Sequence, residues 1–346
     1  MRIAIHHREG SFSDEWIKYC VQKEIHYKIV DCYSSSIIDD VNDCDIVMWH
    51  WHHKHPTDIL FARQLIYALE KAGKYVFPNI NTCMYFDDKV GQKYIFEALH
   101  VPLVPSYVFY DKNEALEWAQ TTDYPKVFKL RGGSGALNVQ LIRNLSSARK
   151  VIKRAFRAGF SQRNFWIHLK EKVWILRKDR DLSAFVGIFK TVGRLFFPSS
   201  YDKVAHREKG YVYFQKFLPN NDFDIRVIVI GDKCVAKRRF NREGDFRASG
   251  SGLIDYDPSR LDVRCIQIAF DVSRRLGAQS LAYDFIFDES GNPLIVEISY
   301  AFPPKAYEDC PGYWDSSLVW HEGKVNPQFN MIEDLIQKFK NSRINN

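Results

Sequence analysis

Through the first 80 residues, short apolar runs alternate with amphipathic stretches, and this alternation restricts the fold more than any other feature of the chain. Arg2–His6, Tyr27–Val30, Asp45–Trp49 and Tyr75–Phe77 read as strands. Ile46, Val47 and Met48 stand side by side, as in a strand buried on both faces. Ser13 is placed to cap a helix through about Lys23, with Trp16, Ile17, Cys20 and Val21 on one face. Thr57–Ala72 reads as a second helix, with Gly73 as its stop. Strands and helices in this alternation predict a small parallel α/β sheet.

The rest of the chain is organised differently. Phe86–Leu99 and Asn113–Gln120 read as helices, Val101–Phe109 as extended, and Pro125–Leu130 as a strand whose hairpin partner is Asn138–Ile142. Ala148–Ala158 is a basic helix. Strand signals return at Tyr211–Phe214, Ile225–Ile230, Cys234–Phe240, Tyr283–Phe287 and Leu294–Ile298, with a helix over Leu261–Leu276. An irregular stretch, 300–326, precedes a last helix near Met331–Phe339. A length of 346 residues suits two or three domains. The expected division is 1–80, 81–214 and 215–346.

Composition narrows the class. Apolar residues make up 46% and charged residues 26%, which excludes disorder as the main state. No window has the ~18–20 uninterrupted apolar residues of a membrane helix, and Met1–His7 reads as a strand, not a signal peptide. Seven scattered cysteines, never in C-x-x-C spacing, argue against a disulfide framework or zinc ribbon and for a reducing, cytoplasmic setting. The net charge of +7 is concentrated: residues 143–209 carry 17 Lys and Arg against 5 Asp and Glu, a balance of +12 that leaves −5 for the remainder.

Two carboxylates carry the best chemical signal. Asp284 and Glu297 are each embedded in an apolar strand, where an unpaired charge costs several kcal/mol. A turn at Ser290–Asn292 makes the strands a hairpin and brings the acids together. Two such acids repel unless a cation or shared proton lies between them, and Mg²⁺ held by carboxylates and nucleotide phosphates meets that need. The bland alternative is a pair of surface acids. Lys129 precedes Arg131-Gly132-Gly133-Ser134-Gly135, where glycines let backbone N–H groups approach phosphate oxygens. The spacing is not that of a P-loop. Gln215-Lys216-Phe217-Leu218-Pro219 can present main-chain groups to an adenine edge, and Arg238-Arg239-Phe240 is followed by Gly244-Asp245-Phe246-Arg247.

The order of these signals, from Asp88-Lys89 through Lys129–Gly133, Gln215–Phe217, Asp224-Ile225-Arg226 and Glu243–Arg247 to Asp284 and Glu297, resembles the ATP-grasp superfamily. It is most similar to the branch of ribosomal-protein glutamate ligases and glutathione synthetases, over residues 75–300. The resemblance implies an α/β (α+β) ATP-grasp fold: a small N-terminal parallel α/β domain followed by two lobes clasping the nucleotide. It implies an ADP-forming ligase that joins a small-molecule carboxylate to an amine through an acylphosphate, using ATP with Mg²⁺, or Mn²⁺ in its place. By position, Lys89 and Lys129 would meet phosphates and Gly132, Gly133 and Gly135 would cover them. Gln215, Lys216, Phe217 and Leu218 would form the adenine hinge, with Asp224 near the ribose. Arg239 and Arg247 would stabilise the transferring phosphoryl group, and Asp284, Glu297 and Ser299 would hold metal. Two positions depart from the family: Ser299 stands where it has Asn, and Ala248-Ser249 replace another Asn. The alternative function, a non-catalytic nucleotide-binding or scaffold protein, rests on the first departure.

Two features fall outside this resemblance. His50, His52, His53 and His55 follow the third strand, but alternate between faces and form no clean zinc set, so substrate-facing or plain loop histidines are the preferred reading. Their place at the carboxyl end of a parallel strand favours a ligand crevice. The basic insert, 143–209, is either a solvated helical excursion or a dock for a polyanionic or glycan acceptor or a membrane surface. Nucleic acid is the least favoured partner.

Overall fold

The structure is a computed structural model, and it describes residues 1–133, 138–161, 207–241, 246–247, 252–303, 307 and 309–344. The chain forms two compact units, one of residues 1–52, 57–86 and 220–346, the other of 53–56 and 87–219.

In the first unit, strands β1 (Ile3–His6), β2 (Tyr27–Val30), β3 (Ile46–Trp49) and β4 (Tyr75–Phe77) form the expected parallel sheet, in the order β2-β1-β3-β4. Helix α1 (Phe12–Gln22) starts two residues earlier than expected. Ser11, not Ser13, caps it by accepting the Ser13 N–H, because Phe12 and Ser13 are already buried in the first turn. A short α2 (Ile37–Asp40), α3 (Pro56–Lys71) and α4 (Ile80–Cys83) complete this part.

The second sheet of this unit runs β13-β12-β9-β10-β14-β15, with β11 also on β10. Its strands are β9 (Phe223–Ile230), β10 (Lys233–Phe240), β11 (Ile254–Asp255), β12 (Ser280–Phe287), β13 (Pro293–Ser299), β14 (Gly312–Asp315) and β15 (Trp320–Glu322). The β14–β15 hairpin lies in the stretch expected to be irregular. Trp314 and Trp320 pack on each other there, 4.4 Å between ring centroids. Gly312 must be glycine, since a Cβ would lie 2.2 Å from the His321 carbonyl and 2.6 Å from the Trp320 ring. Helix α8 (Val263–Leu276) follows the sequence reading, with the left-handed Gly277 as its stop. Helix α9 (Pro327–Ile344) is longer at both ends than the apolar periodicity implied.

The two sheets of this unit share one core. Ile3, Trp16, Met48 and Phe77 from the N-terminal layer pack in the same buried cluster as Ile228, Val235, Met331 and Leu335.

The other unit contains α5 (Lys89–Ala98), α6 (Lys112–Thr121), α7 (Leu145–Ala155) and an antiparallel sheet ordered β5-β8-β6-β7. Its strands are β5 (Ser106–Phe109), β6 (Lys126–Lys129), β7 (Gln140–Ile142) and β8 (Val212–Lys216). Helix α7 begins three residues before the expected Ala148, because Asn144 and Ser147 form a capping box. Its own core holds Phe128, Phe214, Val151 and Ile152. Most of the basic insert lies outside the described residues.

Candidate functional site

The residues singled out in the sequence fall into two sets, one on each unit. In the unit of residues 87–219, β6 ends at Lys129, which is buried, as is Lys89 at the start of α5. Two buried ammonium groups are costly unless hydrogen-bonded. Lys89 Nζ donates to the Gly133 carbonyl at 2.9 Å, and Lys129 Nζ donates to Gln215 Oε1 at 2.6 Å. Gln215 Nε2 in turn reaches Ser106 Oγ at 3.1 Å. Antiparallel pairing of β6 with β8 sets Lys129 opposite Tyr213 and Val127 opposite Gln215.

The glycine turn is tied from several sides. The Gly133 N–H donates to Asp87 Oδ1 at 2.7 Å, and Arg131 pairs with Asp88 at 2.6 Å. The N–H groups of Arg131 and Gly132 both donate to the Glu208 carboxylate, at 3.1 and 3.3 Å. Glu208 also accepts from the Tyr211 hydroxyl. Gly135 lies outside the described residues. In the Gln215–Leu218 stretch, the Lys216 N–H is committed to the Pro105 carbonyl at 2.8 Å, and the Leu218 side chain is buried. Phe217 follows the end of β8.

In the other unit, alternation places Asp224 and Arg226 on one face of β9, and Lys237 and Arg239 on one face of β10. Register brings them together. Asp224 stands opposite Arg239, Arg226 opposite both Lys237 and Asp284, and Asp284 opposite Glu297. A bulge directly after the Asp284–Glu297 pair shifts the β12–β13 register.

The two acids are therefore adjacent, as the hairpin turn implied. The cation beside Asp284, however, comes from the chain. Arg226 grips Asp284 with two hydrogen bonds, 2.5 and 2.6 Å, and Arg239 adds an ion pair at 3.0 Å. Burial alone would push the Asp284 carboxyl up, but the two guanidinium groups hold it well below the usual carboxylate range. Arg239 also takes Asp224 in a fork, at 2.7 and 2.5 Å. Burial raises the Asp224 carboxyl above its usual value in spite of that fork.

Sequence reading passed over Arg226 and Lys237 as site residues. Their period-two spacing with Asp224 and Arg239 was the available signal. Lys237 is 3% exposed, with Nζ 4.2 Å from the centroid of the fully buried Tyr307 ring. Burial first, then the like charges of Arg226 and Arg239, push its ammonium down to about 8.

Ser299 Oγ donates to the Ala301 carbonyl at 3.0 Å, so the hydroxyl oxygen keeps its capacity to accept or ligate. Asp284, Glu297 and Ser299 offer hard oxygen donors only, a set that suits Mg²⁺ completed by phosphates. Among the described residues, no group of three or more His, Cys, Asp and Glu side chains could hold a metal, the histidines after β3 included. Arg247 is described and part-buried, whereas Glu243, Gly244 and Asp245 lie outside the described residues. All seven cysteines are free and buried, and no helix among the described residues is long and apolar enough to cross a membrane.

Comparison with known proteins gives a consistent result. Residues 202–306 match the family model described as a RimK-like ATP-grasp domain. The α-aminoadipate–LysW ligase LysX of Saccharolobus solfataricus is 21% identical over 286 residues, 80% of this chain and 84% of that protein. A RimK domain ATP-grasp protein from Sphaerobacter thermophilus superposes with a TM-score of 0.56 at 13% identity, over 97% of this chain and 100% of that one. The D-alanine–D-alanine ligase of Bacillus anthracis in complex with ATP gives 0.54 at 13% identity, over 99% of both chains.

Proposed function

We propose that this chain, an ATP-grasp protein with a RimK-like domain over residues 202–306, is an ADP-forming ligase that joins a carboxylate to an amine. The observation that carries the reading is the row of opposed charges across β10, β9, β12 and β13: Lys237, Arg226, Asp284 and Glu297, with Arg239 forked on Asp224 beside it. A part-buried array of this kind is a weak source of stability. It is well suited to phosphoryl transfer, in which the protein mainly positions groups and neutralises charge.

In this reading Lys89 and Lys129 contact the phosphates of ATP, and the N–H groups at Gly132 and Gly133 supply further donors. The Gln215–Leu218 main chain faces the adenine. Arg239 and Arg247 stabilise charge on the transferring phosphoryl group, and Asp224 aims Arg239. Asp284 and Glu297, with Ser299, would hold Mg²⁺, which when bound neutralises phosphate charge. The carboxylate attacks the terminal phosphorus of ATP and ADP leaves, giving an acylphosphate; the neutral amine then attacks the acyl carbon, phosphate leaves and the amine loses a proton. On α7, Arg149, Lys150 and Lys153 are exposed, as is Arg157 beyond its end, and none has an ion pair among the described residues; these cations favour an acceptor that carries several negative charges.

The test is ADP release with carboxylate and hydroxylamine supplied together. An acylphosphate enzyme yields a hydroxamate, and release should require both co-substrates. Glu297→Gln keeps the side-chain shape and should lower turnover at least ~10²-fold. Unchanged turnover in a folded Glu297→Gln protein rejects the metal assignment. ATP binding without any hydroxamate favours the non-catalytic alternative.

A further inference from the structure

We propose that Ser106 and Tyr213, acting through the Gln215 amide, are positioning residues that aim the Lys129 ammonium at the phosphates of ATP, so that the Gln215 side chain serves the phosphates and not the adenine. The proposal rests on the ligase reading above and deepens its account of the nucleotide site.

The strands decide which side chains meet. β8 lies between β5 and β6, and pairing sets Ser106 opposite Gln215 on one side and Lys129 opposite Tyr213 on the other. Alternation along β8 sends Val212 and Phe214 into the core with Phe128. Tyr213 and Gln215 therefore stand on the opposite face, which they share with Ser106 and Lys129. All four side chains are buried.

Proton polarity then gives the chain a direction. The Ser106 hydroxyl donates its one proton to the Val104 carbonyl at 2.8 Å, so its oxygen can only accept from its other neighbours. It accepts from the Tyr213 hydroxyl at 2.8 Å and from Gln215 Nε2 at 3.1 Å. With Nε2 turned to Ser106, the amide must present Oε1 to Lys129 Nζ, which it meets at 2.6 Å. The flipped amide would set Oε1 against an oxygen with no proton left to give and Nε2 against an ammonium with no lone pair. One serine proton thus fixes the amide, and the amide fixes the ammonium.

Charge explains why the last link is an amide. A carboxylate in that place would form an ion pair and cancel the lysine charge, whereas a neutral amide holds the ammonium and leaves it cationic toward a polyanionic ligand. Stability does not account for the chain. The other face of the same sheet is filled with apolar side chains, and a buried polar network is costly whenever one member loses its partner. Its presence on the face that carries Lys129 is accounted for by the aiming of one cation.

The experiment measures Mg-ATP and adenosine affinity of the full chain by calorimetry, for Gln215→Met, Lys129→Met and the double variant, with Gln215→Glu and Tyr213→Phe alongside. Gln215→Met keeps the length and removes the acceptor. It should weaken Mg-ATP about 10-fold, the loss of one hydrogen bond to a charged group, and leave adenosine unchanged. Gln215→Glu keeps the bond but cancels the charge, and should weaken Mg-ATP to a similar degree. Tyr213→Phe keeps the ring and should weaken Mg-ATP about 2–10-fold; it carries the test if Gln215→Met does not fold. In the Lys129→Met background, Gln215→Met should have no further effect on Mg-ATP, because no ammonium is left to aim, a coupling that a merely structural role does not produce. Additive losses in the double variant overturn the proposal. Equal losses of adenosine and Mg-ATP overturn it too, and return Gln215 to the adenine edge. A parent that turns ATP over while the folded single variants match it in Mg-ATP affinity rejects the positioning role alone. A parent without Mg-ATP affinity rejects the ligase reading and this role together.

Discussion

Glu208 holds the glycine turn through the Arg131 and Gly132 N–H groups, and the proposed mechanism offers the second of these to phosphate. Its carboxylate is an anion already seated on those donors, so nucleotide binding must displace it. Glu208→Gln should therefore tighten Mg-ATP, roughly 3–10-fold by calorimetry, because a neutral amide competes less well for the N–H groups. Weaker binding in that variant would make Glu208 a support of the loop. Lys237 gives a second residue-scale prediction. Its folded-state value of about 8 lies below the usual 10.5 of a lysine, so the unfolded chain binds more protons between those values. Stability contributed by this group then rises with pH from about 8 to 10.5 and is lowest below 8. Lys237→Met should stabilise the protein at pH 7, by up to about 3 kcal/mol before lost ring contacts are subtracted. The advantage should shrink toward pH 10.5 in parallel urea melts; a pH-independent difference would refute it. Neither residue stood out in the sequence. Glu208 is 77 positions from the amide it accepts, and nothing local announces such a partner.

At the scale of elements, α7 has a capped start, a buried face of Ala148, Val151, Ile152 and Ala155, and a cationic outer face. Arg154 belongs to the fold, since Nε donates to the Gly159 carbonyl and the guanidinium lies 4.5 Å from the Phe160 centroid. The exposed cations that make no such tie among the described residues are Arg149, Lys150, Lys153 and Arg157. Changing these four to Gln should raise KM for a polyanionic acceptor and flatten its salt dependence, because exposed charges are screened beyond ~8–10 Å. Mg-ATP affinity should stay constant. Identical salt profiles for parent and variant would leave the face with solvation alone. Helix and strand positions were largely legible, because amphipathic periods of 3.6 and 2 are written in neighbouring residues. The exceptions have local causes: the α7 start was set by a capping box, and the β14–β15 hairpin by two tryptophans packed at a tilt beside Gly312.

At the scale of the whole molecule, the N-terminal layer and the C-terminal sheet complete each other. Ile3, Trp16 and Met48 are fully buried in a cluster that needs Ile228, Met331 and Leu335. Residues 1–86 expressed alone should show no cooperative thermal transition by circular dichroism, since each large apolar side chain left exposed forgoes about 1.5–3 kcal/mol. A sharp transition in that fragment would refute the shared core. Local sequence determined the parallel character of the first sheet and the hairpin that joins Asp284 to Glu297, because alternation and turn chemistry act within a few residues. Tertiary structure alone decided which cation meets which acid: Arg226 reaches Asp284 across 58 positions because β9 pairs with β12 in one register. It also decided that Lys129 meets Gln215, 86 positions away. Strand order and register are fixed by burial of whole sheet faces, a long-range quantity that no window of sequence contains.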